Sequence, residues 1–238
     1  MKIALIGYGK MGKAIEEVAL QKGHEIVLKI DVDNASDLTE KNLLQADVAI
    51  EFTGPHSAVH NIYKCFEAGV PLVCGSTGWL DKLEEVRKTC IEKNTGFLYA
   101  SNYSIGVNIF FEVNKKLSQL MDQQELYDVS LEEIHHTEKR DAPSGTAITL
   151  AEQILENVSR KKQWVNHPSS YPDDLTIISK RIDPAAGTHT IAYRSSIDDI
   201  EITHTAHNRK GFAAGAVLAS EFMKGKTGIY SMKDVLGL

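Results

Sequence analysis

A chain of 238 residues, 42% of them hydrophobic and 24% charged, carries enough apolar material for one large domain or two modest ones, which argues against disorder. Its net charge of -6 argues against a surface built for nucleic acid or anionic membrane, because gripping a polyanion needs a basic face. Local basic clusters in such a chain serve small anions.

The predicted elements run as follows. Ile3–Ile6 is a short apolar run, Met11, Ile15, Val18 and Ala19 recur at helical spacing, and Glu25–Asp31 reads as a second strand, together a βαβ unit. Ala46–Phe52 is a further strand, and Pro55 stands near the start of a helix bearing Val59, Ile62, Tyr63 and Phe66. Pro71–Cys74, Leu80–Ile91 and Phe97–Ala100 continue as strand, helix and strand. Strands separated by helices imply a parallel sheet with right-handed crossovers, covered on both faces.

Beyond about residue 104 the pattern changes and a second domain is expected. A helix through Ile109, Val113, Leu117 and Leu120 leads into an alternating strand, Tyr127–Ile134. A helix from Gly145 to about Val158 is followed by the polar stretch Ser159–Asp174, read as a loop. Three β-rich segments then come in succession, Leu175–Ile182, His189–Ser195 and Asp199–Ala206, as in an antiparallel or mixed sheet. The helix Phe212–Met223 and the tail Tyr230–Leu238 carry enough apolar residues to dock.

Three cysteines, Cys65, Cys74 and Cys90, lack C-x-x-C spacing and read as buried small apolar groups of a reduced protein. The first apolar run is too short for a signal-peptide core and no later run reaches membrane-spanning length, so a cytoplasmic location is expected.

Gly7-Tyr8-Gly9-Lys10-Met11-Gly12 fits G-x-G-x-x-G between a strand and a helix. The first glycine permits a tight turn, the second lets backbone approach a pyrophosphate, and the third lets helix pack on strand. Asp31 ends the next strand, where a carboxylate can accept from an adenosine ribose diol, which favours NADH; Lys10 lies close enough to the turn to meet a 2′-phosphate, so NADPH stays open. Phe52-Thr53-Gly54-Pro55, Gly75-Ser76-Thr77-Gly78 and Ala100-Ser101-Asn102-Tyr103 each follow a predicted strand, where open parallel sheets place their ligand crevice.

The densest chemistry lies between Glu133 and Ala147. Adjacent His135 and His136 follow the alternating strand, and the block is expected to leave its sheet at an edge. Lys139 adds a cation, Ser144 is a candidate N-cap, and Gly145 and Thr146 supply N–H groups of a helix first turn, a ready carboxylate site. Histidine titrates near neutral pH, so these parts suit a dianionic substrate that needs a proton. A metal site is a poor rival, since the chain lacks H-E-x-x-H or paired cysteines and no metal is expected. A non-catalytic NAD sensor would have no use for proton donors at such a helix end.

His135-His136, Lys139, Asp141 and Pro143-Ser144-Gly145-Thr146-Ala147 resemble the signature of the dihydrodipicolinate reductase family. The resemblance extends to the glycine turn, to Phe52-Thr53 with Pro55, to Gly75–Gly78, to Ser101–Asn108, and to Ile202-Thr203-His204, Ala206, Arg209, Phe212-Ala213 and Gly215-Ala216. Two positions depart from it: the glycine turn is one residue shorter than in many members, and Val32 stands where some carry a basic residue.

The resemblance implies a Rossmann-type dinucleotide-binding domain of residues 1–104 and 210–238. It also implies a smaller α+β domain of residues 105–209 that binds substrate and builds a homotetramer. The implied reaction is NADH- or NADPH-dependent reduction of 4-hydroxy-tetrahydrodipicolinate, on the diaminopimelate and lysine route. His135 would protonate the enamine carbon and Lys139 would donate or stabilise charge, while His136, with Ser144, Gly145 and Thr146, would hold a carboxylate of the small dicarboxylate substrate. Gly7 to Gly12, Asp31, Phe52, Thr53, Gly75, Ser76, Thr77 and Ala100 to Tyr103 would line the cofactor.

Overall fold

The structure is a computed structural model that describes residues 1–208 and 210–238; position Arg209 of the resemblance lies outside the described residues. The chain divides into two compact units, Met1–Ile105 with Arg209–Leu238, and Gly106–Asn208.

In the first unit β1 (Lys2–Ile6), α1 (Lys10–Gln21), β2 (Glu25–Ile30), α2 (Glu40–Leu43), β3 (Val48–Glu51), α3 (Pro55–Glu67), β4 (Leu72–Cys74), α4 (Leu83–Glu92) and β5 (Gly96–Tyr99) alternate as expected. A single turn of 3-10 helix precedes α4, and another 3-10 segment with the four-residue α2 fills the link after β2, where no helix was anticipated. The six strands lie in the order β11-β5-β4-β3-β1-β2, all parallel, with β11 (Gly228–Tyr230) arriving from the C-terminal part of the chain.

Side chains alternate across this sheet, as the two-residue strand period requires. Ala4, Ile6, Ala49, Leu72, Cys74 and Phe97 join one core with residues of α3 and α4. Ile3, Leu5, Val48, Ile50, Val73 and Leu98 join the other with α1 and the C-terminal helix. Strands buried on both faces read as continuous apolar runs, which is why these were found by sequence. β2 and β3 flank β1 on opposite sides, so the order reverses there, and such a switch point is where doubly wound sheets bind ligands.

The second unit carries most of α5 (Ile105–Met121), then β6 (Asp128–His135), α6 (Gly145–Asn157), β7 (Gln163–Val165), β8 (Asp174–Arg181), β9 (Gly187–Arg194) and β10 (Asp199–Ala206). Its five-stranded sheet has the order β10-β9-β6-β8-β7 and is mixed: β6 runs parallel to β8 and antiparallel to β9. Two expectations are corrected. The stretch Ser159–Asp174 contains β7, because Gln163–Val165 pairs in parallel with β8 as an edge strand. The histidine block does not leave at an edge, since β6 is the central strand of the sheet.

The helix expected through Ile109, Val113, Leu117 and Leu120 is present, yet Ile109, Val113 and Leu120 are exposed and Val107, Phe110, Asn114, Ser118 and Met121 are buried. Polar complementarity selects that face. Asn114 donates to the Leu150 carbonyl at 3.1 Å and to Gln153 Oε1 at 3.0 Å, and Ser118 Oγ accepts from the Tyr193 hydroxyl at 3.1 Å. Buried polar groups left unpaired would each cost on the order of 1–3 kcal/mol, so the face able to bond turns inward.

The chain returns to the first unit with α7 (Lys210–Met223), β11 and α8 (Met232–Leu236). α7 packs against β3, β4 and β5. All three cysteines are buried and free. Among the described residues no helix is long and apolar enough to cross a membrane.

Candidate active site

One candidate site, in the first unit, is built at the carboxyl ends of β1, β3, β4 and β5. Gly7 has φ +96°, and a Cβ there would lie 2.2 Å from the Phe52 carbonyl oxygen, so the β1 and β3 loops touch through bare backbone. A Cβ on Gly12 would lie 2.2 Å from the Gly7 carbonyl oxygen, which lets α1 begin hard against the turn. Gly9 differs: among the described residues a Cβ there would meet nothing within 4 Å, and Gly9 caps α1 without any side-chain hydrogen bond. The first-turn N–H groups of α1 thus have no side-chain cap at Gly9, and backbone N–H groups left over at a helix start are what accepts a pyrophosphate. The residues present fit a dinucleotide.

Lys10 is exposed, Met11 in the first turn of α1 packs against the core, and the Tyr8 hydroxyl donates to Glu16, with the Lys29 ammonium 5.0 Å from its ring. Asp31 is exposed at the end of β2, where one carboxylate oxygen accepts the Val32 N–H at 2.9 Å. Val32, 86% exposed, adds no cation there.

Phe52, Thr53, Gly75 and Ser76 are tied into one piece by a residue the sequence reading gave no role. Glu51, fully buried at the end of β3, accepts from the Thr53 N–H at 3.0 Å and from the Thr53 hydroxyl, while the Cys74 thiol donates to its other oxygen at 3.1 Å. Thr53 N–H also reaches Ser76 Oγ at 2.8 Å, and a Cβ on Gly75 would strike the Phe52 ring at 2.2 Å. Burial first, and then the Glu51 charge, push the Cys74 thiol well up, so it serves as a donor and not as a nucleophile. Tyr103 is buried and donates to the Cys74 carbonyl at 2.7 Å, so its side chain anchors the loop in which Ala100, Ser101 and Asn102 stand more open. Thr77 is exposed.

A separate cluster lies entirely in the second unit. β6 turns Val129, Leu131, Glu133 and His135 inward at every second position. Glu133 is fully buried and accepts from the Ser144 N–H at 3.1 Å and Arg181 Nη2 at 3.1 Å, while the rings of His135 and His189 bring Nδ1 and Nε2 to 3.3 and 3.6 Å from Oε2. Burial alone would raise its pKa, but the His135 and His189 rings beside it and the Ser144 N–H outweigh it and hold the carboxyl well below its usual 4.5.

Register extends the group across the sheet, with Glu133 opposite His189, His189 opposite His204, and His135 opposite Arg181. Burial lowers the pKa of His189 and of His204, so both are neutral near pH 7. Sequence reasoning passed over Glu133 and His189. The available signal was a carboxylate in the inward phase of an otherwise apolar strand. Glu133, His135 and His189 also place ligand-type atoms within 4.8 Å of one another, but the Glu133 oxygens already accept from Ser144 and Arg181.

Around this core sit the remaining expected residues. Ser144 is the N-cap of α6, with Oγ accepting from Ala147 N–H at 3.2 Å and lying 3.2 Å from His189 Nε2, so its buried side chain is committed to the fold. Gly145 and Thr146 open α6, and Gly145 is exposed with space where a Cβ would be. His136 is half-buried, and Asp183 clasps the turn after it through Thr137 N–H at 3.2 Å. Lys139 Nζ is 2.8 Å from both oxygens of Asp141, and Arg181 donates to the Asp141 carbonyl at 2.5 Å. Arg181 therefore ties the 139–141 loop to the buried carboxylate.

A carboxyl held below 4.5 in the folded state contributes stability that is complete above that value and drains away as pH falls toward the lowered one. The urea midpoint is expected to drop as pH falls below about 5. Glu133→Gln, weaker at neutral pH, should show a shallower drop across that window; an unchanged slope would remove Glu133 from the acid-labile set.

Comparison with protein-family models assigns both halves. Residues 1–103 match the model described as dihydrodipicolinate reductase, N-terminus, and residues 106–236 match that described as dihydrodipicolinate reductase, C-terminus. The chain belongs to the dihydrodipicolinate reductase family. Among its relatives in this family, a 4-hydroxy-tetrahydrodipicolinate reductase of Christiangramia forsetii is 51% identical over 236 residues, covering 99% of this chain and 98% of that protein. One of Neisseria meningitidis serogroup B is 35% identical, covering 94% of this chain and 84% of that protein. The structure of dipicolinate-bound dihydrodipicolinate reductase from Paenisporosarcina sp. TG-14 shares the fold, with TM-score 0.77 at 23% identity and 97% of each chain covered. The dihydrodipicolinate reductases are pyridine-nucleotide-dependent oxidoreductases of diaminopimelate and lysine biosynthesis, so the family and enzyme class expected from the histidine block and glycine turn are met.

Proposed function

We propose that this chain reduces 4-hydroxy-tetrahydrodipicolinate, through its dehydrated form dihydrodipicolinate, to tetrahydrodipicolinate, with His135 as the proton donor. The observation that carries this reading is the pairing of His135, backed by an ionised Glu133, with the open start of α6 at Gly145 and the Lys139 cation. When bound, a reduced nicotinamide supplies the hydride. The first unit binds and orients that cofactor through Gly7 to Gly12, Asp31 and the Thr53, Ser76 and Asn102 loops. The second unit holds a substrate carboxylate with His136 and the N–H groups of Gly145 and Thr146. His135 delivers the proton that the adjacent carbon needs once hydride has added, and Lys139, released from Asp141, faces the charge that develops.

The test is an assay with substrate made freshly by the preceding synthase, following loss of NADH or NADPH. Substrate-dependent oxidation of one of them is expected; none with either would sink the reading. Asp31→Ala should raise the KM for NADH ~10–100-fold, the worth of a charged hydrogen bond, while changing that for NADPH far less. Equal effects on both would show that Asp31 does not read the ribose. A homotetramer is proposed on the family resemblance, and light scattering at working concentration tests it, a monomer being the refuting result.

A further inference from the structure

We propose that Glu133 and Gly187 are positioning residues for the proton transfer: Glu133 faces Nδ1 of His135 and so presents Nε2 as the delivering nitrogen, and Gly187 keeps the space at that Nε2 open. The inference rests on the proposed role of His135 and adds which ring atom acts and what holds it there.

Three observations carry it. His135 Nδ1 is buried and makes no well-aligned hydrogen bond to any described residue, yet Glu133 Oε2 lies 3.3 Å away. Catalytic contacts of this kind are commonly long in a resting enzyme and tighten in its working complex. Glu133 cannot swing aside, because the Ser144 N–H and Arg181 hold its oxygens and His189 stands 3.6 Å from Oε2. His189 is the neutral partner in that arrangement: its Nδ1 is buried with no hydrogen-bond partner among the described residues, so its single proton belongs on Nε2, between Glu133 and the Ser144 hydroxyl 3.2 Å away. The third observation is on the far side of the ring. Gly187 opens β9 with φ +149°, and a Cβ built there would lie 3.1 Å from His135 Nε2 and 3.3 Å from Cδ2. Any side chain at this position would crowd the nitrogen that must approach substrate.

A buried carboxylate on one imidazole nitrogen selects the tautomer and steadies the imidazolium without taking its proton, and the proton leaves from the other nitrogen. The charged and titratable groups around His135 are Glu133 on its own strand, Arg181 on β8, His189 on β9 with His204 behind it on β10, and the Lys139–Asp141 pair on the loop before α6. Glu133 is the anion that touches the ring.

The experiment compares pH profiles of kcat in Glu133→Gln, Glu133→Asp and Gly187→Ala. In Glu133→Gln kcat should fall at least ~10-fold with the KM values for substrate and cofactor nearly unchanged, and the alkaline limb should move about 1–2 pH units lower, the shift expected when a neighbouring opposite charge is removed. Glu133→Asp should recover most of that displacement. Gly187→Ala should lower kcat and leave the limb in place. Should Glu133→Gln fail to fold because Arg181 loses its counter-charge, Glu133→Gln with Arg181→Gln replaces the pair and reports the same limb.

A limb at the wild-type pH in the folded Gln variant, or full kcat in Gly187→Ala, would overturn the proposal. If His135→Ala itself keeps full turnover, it is the underlying reading that fails. Loss of turnover in His135→Ala together with an unmoved limb in the Glu133 variants refutes the positioning role alone.

Discussion

His135→Ala should lower kcat by roughly 10²–10⁴-fold, the contribution typical of a positioned general acid. Cofactor affinity should stay close to wild type, because the glycine turn and its loops lie in the other unit, while thermal stability should fall modestly, because the buried ring faces Glu133. Removing the ring takes away the only inward imidazole on β6. Solvent must then provide the proton to a carbon, without the orientation that a fixed donor supplies. Lys139→Ala should cost less, because its ammonium is shared with Asp141 and stabilises charge instead of completing the carbon–hydrogen bond. Rates of reduced-nicotinamide oxidation under saturating substrate, with cofactor binding measured by fluorescence, separate the two effects. Near-normal turnover in both variants would refute the division of roles.

Gly12→Ala should abolish measurable cofactor binding and destabilise the first unit by about 1–3 kcal/mol, the range for forcing an extra methyl into a packed contact. The added Cβ would sit 2.2 Å from the Gly7 carbonyl oxygen, a backbone atom that cannot rotate away, so α1 must shift from the turn it opens. Gly9→Ala is the matched control. Its Cβ meets no described atom within 4 Å, so folding should be untouched while KM for the cofactor rises, the methyl occupying space that a phosphate needs. Thermal melts and cofactor titrations on the pair distinguish a glycine kept for packing from one kept for a ligand. Equal loss of stability in both would mean that the turn has a single structural purpose.

The parallel sheet was legible because strands buried on both faces leave unbroken apolar runs, as in Ile3–Ile6 and Val48–Ile50. The glycine turn was legible because its backbone demands are local. What sequence hid were features fixed by partners far along the chain. β7 is three residues in a polar stretch and exists only because β8 offers an edge. Asn114 and Ser118 look like the outer face of α5 until Leu150, Gln153 and Tyr193 are beside them. Glu51 and Glu133 each read as an ordinary acid in a strand, and their roles as anchors appear only when Thr53 and Cys74, or Arg181 and His189, converge on them. The central position of β6 was hidden for the same reason, since pairing with β8 and β9 joins residues more than forty apart in sequence.

The return of α7 to the first sheet dictates an order of events during synthesis. When the ribosome has made residue 105, the sheet face carrying Ile3, Leu5, Val48, Ile50, Val73 and Leu98 lacks the cover that Ala213, Ala216, Val217, Ala219 and Met223 will supply. Gly215 underlines how close that cover lies, since a Cβ there would fall 1.7 Å from the Tyr103 carbonyl oxygen. Residues 106–208 form a contiguous unit and emerge complete while the earlier one still waits. The part of the chain translated first is thus the part finished last. A nascent chain halted before α7 exposes a sticky apolar sheet, the kind of surface that chaperones shield and that aggregates when they do not.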